Sequence, residues 1–426
     1  MTSSESTPAE AYVWIWLSGA TEPVVAGRIE ADGQRYVFNY GRSYLEHDNA
    51  IPIYLPELPL GRGSQPPPPG LQMASSLRDA SPDAWGRRVI INRLTGLKGS
   101  AARSAEFDEL TYMLESGSDR MGALDFQESP RDYVPRLAEN ATLDEMLTSA
   151  ERVDLGVPLT PELDQALQHG SSIGGARPKA LVQDEEKKYI AKFSATNDTY
   201  SVVKAEFIAM QLAKLAGIDV APVKLTGASG KDVLLIERFD REATDTGWTR
   251  RAMVSALTML GLDEMMARYA SYRDLAEIVR ARFTHPAATL RELFSRLTFN
   301  ILVGNNDDHA RNHAAFWDGV SLTLTPAYDI CPQARTGREV NQAMLIYNGN
   351  KESRLSLCLE AAHNFLLSEE QAVNIVKKQV ACIKKNWHTV CDNAELSEVD
   401  RNFFWRRQVL NRYAFQGSER YFGDLT

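Results

Sequence analysis

At 426 residues the chain is too long for one hydrophobic core, so two or three packed units are expected. Its 44% hydrophobic and 24% charged residues are those of ordinary globular protein, and no apolar run approaches the length of a membrane span. A formal net charge of -9 excludes a protein that grips nucleic acid through its own basic footprint, so any link to DNA has to come through a partner.

The polar, acidic start from Met1 to Glu10 is unlike an export signal, and the chain is expected to stay in the cytoplasm. Tyr12 to Leu17, Val24 to Glu30 and Arg35 to Tyr40 read as strands, the last two joined by a tight turn at Asp32-Gly33. Residues 1–105 form a β-rich subdomain in this reading, with Leu94 to Ala105 as its boundary. In residues 106–245 the strands Ala180 to Gln183, Tyr189 to Phe193 and Val233 to Ile236 alternate with a helix over Val202 to Ala216, stopped by Gly217. Residues 246–426 are mainly helical: Leu290, Leu293, Leu297 and Ile301 keep helical spacing, and Ser368 with Gln371 caps a helix reaching roughly Trp387. The fold class is therefore α+β. The four cysteines Cys331, Cys358, Cys382 and Cys391 lack zinc-finger spacing and are expected to be reduced thiols.

The chemistry concentrates in Gly304-Asn305-Asn306-Asp307-Asp308-His309-Ala310-Arg311-Asn312, followed by Tyr328-Asp329. Phosphoryl transfer needs a carboxylate to accept the substrate hydroxyl proton and oxygen ligands to hold magnesium against phosphates. A kinase catalytic loop places its base five positions before a metal-binding Asn, the spacing of Asp307 and Asn312. Asp329, after a strand-like alternation, stands where a second metal ligand belongs. Upstream, Ser171-Ser172-Ile173-Gly174-Gly175-Ala176-Arg177-Pro178-Lys179 can fold over phosphates through backbone N–H groups. Lys192 on a strand and Glu206 on the next helix suit the ion pair that steadies the α- and β-phosphates. Glu237-Arg238-Phe239 follows a strand where an interlobe hinge would lie, with backbone groups for adenine.

These pieces in this order resemble the HipA family of bacterial toxin kinases. The similarity extends to Asp79-Ala80-Ser81-Pro82-Asp83-Ala84-Trp85-Gly86-Arg87-Arg88, with Ala84 in place of the family's Gly. It implies a two-lobed protein-kinase-like fold and an ATP- and Mg2+-dependent serine/threonine-protein kinase. By motif, ATP would contact Gly174, Gly175, Ala176, Arg177, Pro178, Lys179, Lys192, Glu237, Arg238, Phe239, His309, Tyr328 and Asp329. Asp307, Lys192 and Glu206 would be catalytic, Asn312 and Asp329 would hold the metal, and Ser172 would be autophosphorylated. Pro178 departs from the polar residue expected in that loop. The resemblance also implies a helix-turn-helix antitoxin partner that carries the chain to operator DNA, and a protein substrate such as glutamyl-tRNA synthetase. Two other readings compete: a catalytically silent corepressor with a kinase fold, and a small-molecule kinase.

Overall fold

The computed structural model describes all residues except 1–7, 97–105, 138–140, 158, 161–171, 173–174, 176, 196–197, 335–336, 338 and 424–426. The chain condenses into two compact units. The first comprises residues 1–197, 226–254 and 317–320, and the second comprises 198–225, 255–316 and 321–426.

In the first unit β1 (Glu10–Ile15), β2 (Val24–Asp32), β3 (Arg35–Tyr40) and β4 (Leu124–Gln127) form an antiparallel sheet in the order β3-β2-β1-β4. The β2–β3 hairpin turns at Gly33, whose φ of 61° is open to glycine at no steric cost. Alternate residues of β1 and β2, among them Val13, Ile15 and Ile29, pack with Phe38, Leu77 and Met113 into one core. A second sheet contains β5 (Lys179–Gln183), β6 (Lys188–Phe193), β7 (Val223–Ala228) and β8 (Lys231–Glu237) in the order β5-β6-β8-β7. Its core includes Phe193, Val233, Met146 and Leu147.

Trp85 and Val89, on the helix Ala84–Thr95, also belong to that second core. The β-rich start and the strands after it share one compact unit, and most of the expected boundary at Leu94 to Ala105 lies outside the described residues.

The second unit is helical, with Val202–Leu215, Tyr272–Arg282, Pro286–Val303 and Glu369–Asn393 as its longer helices. The last begins at the predicted Ser368/Gln371 capping box and outruns its predicted end, because Val390 and Cys391 continue the buried stripe past Trp387. All four cysteines are thiols. Among the described residues no helix is long and apolar enough to cross a membrane.

Candidate functional site

Helix Pro286–Val303 carries the polar loop of the second unit and stops at Gly304, which has a φ of 75°. A Cβ there would stand 2.8 Å from the Gln408 carbonyl oxygen, so only glycine can both end the helix and pass that backbone. Gly304→Ala is expected to destabilise the second unit by about 1–3 kcal/mol, measured as a lower urea midpoint.

Beyond Gly304 the loop is tied to itself. Asn305 Nδ2 donates to Asn300 Oδ1 at 3.0 Å, and Asn305 Oδ1 accepts the Asp307 N–H at 3.3 Å. The Asp307 carbonyl accepts from the His309 N–H at 2.9 Å and from Asn312 Nδ2 at 3.1 Å. The backbone of Asp307 is thus held on both sides while its carboxylate stays open to solvent. Partial desolvation lifts that carboxyl above the ordinary aspartate range; His309 offsets part of the rise, and the Asp329 and Asp308 carboxylates add to it.

Because its amide nitrogen is spent on Asp307, Asn312 has Oδ1 left to offer. Asp329 adopts a left-handed φ of 59°, a strained conformation of the kind that collects at functional sites. Its carbonyl meets Asn305 Nδ2 at 3.4 Å, and the Tyr328 hydroxyl donates to the Arg311 carbonyl at 2.7 Å. Among the described residues no three His, Cys, Asp or Glu side chains form a metal cage. An amide oxygen at Asn312 and a carboxylate at Asp329 are nevertheless the hard donors that suit magnesium, which fills its remaining positions with phosphate and water. His309 Nδ1 is buried and has no hydrogen-bond partner among the described residues.

Asp308, the next residue, turns inward. Its Oδ1 lies 3.0 Å from His313 Nε2, and its Oδ2 accepts the hydroxyl of Tyr272. Burial alone would raise the Asp308 carboxyl, but His313 and these hydrogen bonds hold it below the usual range. Tyr272 is pushed far up by burial and by Asp308.

In the first unit Lys179 and Lys192 are directly opposed in the β5–β6 ladder and so share one face. Lys179 is only 3% exposed, and its Nζ would lie 1.9 Å from a Cβ on Gly175, whose φ is 113°. Trp85 buttresses this corner: its indole N–H donates to the Lys179 carbonyl at 3.1 Å and its backbone N–H to Gly175 at 3.2 Å. Arg177 and Pro178 complete the described part of the loop; Gly174 and Ala176 lie outside the described residues, as does Ser171. Glu206 is buried on the helix Val202–Leu215 of the second unit, whereas Lys192 belongs to the first.

Arg238 and Ser172, also expected at the site, are buried. The Arg238 N–H donates to the Lys188 carbonyl, and its guanidinium is committed to Asp119 and Asp240. Glu237 and Phe239, on either side of it, are only partly buried. Arg241, also buried, bonds the same two carboxylates, and Lys188 reaches Asp119 at 2.6 Å. Ser172 is 4% exposed, with a hydroxyl that has no hydrogen-bond partner among the described residues.

Residues 171–387 match the HipA-like C-terminal domain and residues 15–127 the HipA N-terminal domain. Y4mE of Sinorhizobium fredii is 31% identical over 150 residues, 34% of this chain and 34% of that protein. The serine/threonine-protein kinase toxin HipA of Shewanella oneidensis is 27% identical over 183 residues, 37% of this chain and 42% of that one. The chain thus spans well under half the length of these two curated relatives. A solved complex of Shewanella oneidensis HipA, HipB and operator DNA superposes with a TM-score of 0.66 at 18% identity, covering 97% of both chains. That likeness concerns the fold, which is α+β as expected.

Proposed function

The chain belongs to the HipA family, and from that premise we propose that it is an ATP- and magnesium-dependent serine/threonine-protein kinase. One observation carries the reading: Asp307 presents an open carboxylate from a backbone pinned by Asn305, His309 and Asn312. In this reading Asp307 accepts the proton of the substrate hydroxyl as the γ-phosphate transfers. Lys179 and Lys192 take up phosphate charge, with N–H groups of the Gly175 turn beside them. Glu206 is the candidate partner of Lys192, and Glu237 and Phe239 offer backbone groups to adenine. Asn312 and Asp329 would hold the magnesium ion, which neutralises charge developing on the phosphates.

The substrate proposed is a protein of the translation machinery, such as glutamyl-tRNA synthetase, and the site of action the cytoplasm. A HipB-type helix-turn-helix antitoxin is the proposed partner, because the structurally similar HipA was solved with HipB and operator DNA. The net charge of -9 is consistent with DNA being reached only through such a partner.

The test is transfer of labelled γ-phosphate to the chain itself or to lysate protein. Transfer should require magnesium and vanish with chelator, and Asp329→Ala should need far more magnesium for half-maximal rate. No transfer by the folded wild-type chain, or an unchanged magnesium requirement in Asp329→Ala, would refute the corresponding assignment.

A further inference from the structure

The mechanism above leaves one buried polar cluster of the second unit unemployed. Asp308, His313 and Tyr272 are all buried, yet none of them has a role in it. Their places in the chain are telling: Asp308 follows the proposed base, and His313 follows the proposed metal ligand Asn312.

The 3.0 Å contact from His313 Nε2 to Asp308 Oδ1 therefore closes the segment that separates base from ligand. Tyr272 anchors this closure to another element. Its hydroxyl donates to Asp308 Oδ2 and lies 3.3 Å from His313 Nε2, and its ring meets the imidazole edge-on at 5.5 Å. The tyrosine is fixed at its own backbone, where its N–H donates to the Leu345 carbonyl at 2.9 Å.

The donors and acceptors balance. Both oxygens of an ionised Asp308 are satisfied, one by the Nε2–H of His313 and one by the Tyr272 hydroxyl. His313 Nδ1 has no partner among the described residues, so its ring is used on one side only. Burying three such groups costs free energy that apolar side chains of similar size would not incur, so the cluster is a poor device for stability alone. Directional hydrogen bonds do what an apolar filler cannot, which is to set one geometry rather than a range of them.

We propose that Asp308, His313 and Tyr272 form a buried brace that holds Asp307 and Asn312 at a fixed span, acting as positioning residues for phosphoryl transfer. The brace rests on the kinase reading above, in which those two residues are base and metal ligand. It touches neither nucleotide nor substrate, and it acts through the backbone on either side of the loop.

The experiment uses the full chain with three variants: Tyr272→Phe, Asp308→Asn and the double change. Single-turnover γ-phosphate transfer at saturating ATP is measured alongside ATP affinity. Mn2+ binding to the ATP complex, followed by electron paramagnetic resonance, gives a readout independent of turnover. Each variant is assayed at a temperature where its unfolding curve shows it fully folded. Tyr272→Phe removes only a hydroxyl, which keeps the test available should Asp308→Asn fold poorly.

Each single change should slow transfer and weaken Mn2+ binding by about 10–100-fold, the usual effect of disturbing the groups that orient a metal ligand. ATP affinity without metal should stay within roughly 2-fold, and the double variant should be little worse than the poorer single one, as for residues acting as a unit. Wild-type transfer and Mn2+ binding by folded Tyr272→Phe and Asp308→Asn would overturn the brace alone. Absence of transfer by the wild-type chain would overturn the kinase reading and the brace with it.

Discussion

Asp307→Ala should lower γ-phosphate transfer by about 10²–10⁴-fold while leaving ATP affinity nearly unchanged, because a general base acts on the attacking hydroxyl and not on the nucleotide. The loop supports so selective an effect. What fixes residue 307 in place is its backbone: the N–H donates to Asn305 Oδ1, and the carbonyl accepts from His309 and Asn312. Alanine keeps all of these bonds, so the scaffold should survive and only the carboxylate is lost. Rapid-quench single-turnover assays at saturating ATP, paired with calorimetric ATP titration, separate the two effects. A variant that transfers phosphate at the wild-type rate would remove Asp307 as the base, and a parallel collapse of ATP affinity would assign it to nucleotide binding instead.

Asp119→Ala should destabilise the first unit by about 3–5 kcal/mol, more than any exposed ion pair of the molecule could yield. Asp119 bonds Arg238 at 3.0 Å, Arg241 at 3.0 Å and Lys188 at 2.6 Å, and both arginines are essentially inaccessible to water. Removing it takes away the carboxylate of Lys188 and leaves Arg238 and Arg241 to share Asp240, in a place where burial already weighs heavily: desolvation, with Arg238 alongside, brings the Arg241 guanidinium down to about 9. An exposed pair such as Arg42 and Glu46 contributes about 0–1 kcal/mol, so the two classes of pair are separable by urea denaturation. The network also makes a pH prediction. Burial would raise the Asp240 carboxyl from its ordinary 3.8, but Arg238 and Arg241 win and hold it at about 2. A depressed carboxyl stabilises the fold above its unfolded value and ceases to do so as pH falls through its folded value. Wild-type stability should therefore drop between about pH 4 and pH 2. A denaturation midpoint that stays flat across that window would contradict the network's role.

How much of this was legible in the sequence depended on how far apart the partners lie along the chain. Asp307, His309 and Asn312 could be proposed because their spacing is contained in one short loop, and six of the eight strands of the two sheets were read from their patterning, whereas β4 and β7 were not. Lys179 and Lys192 were each named, but only the β5–β6 register put them opposite one another. The Arg238 cluster was legible only in part: Asp240 is two positions away, but Asp119 is 119 positions away in sequence. The brace escaped for the same reason: Asp308 sat inside the motif and His313 just beyond it, but Tyr272 is 36 positions upstream of Asp308. Side chains whose meaning depends on a distant neighbour were the ones read in part or overlooked.

The close approach of Gln408 to Gly304 has a consequence in time as well as space. Leu410 donates its N–H to the Leu302 carbonyl at 2.7 Å, and Gln408, Val409 and Leu410 are buried there. The turn that leads into the loop Gly304 to Asn312 therefore leans on chain that a ribosome delivers only after the helix Glu369–Asn393 has been made. At about 5–20 residues per second, the loop spends several seconds outside the ribosome without its final support. Synthesis interrupted before Leu410 would therefore yield a polypeptide carrying Asp307 and Asn312 in a loop not yet set.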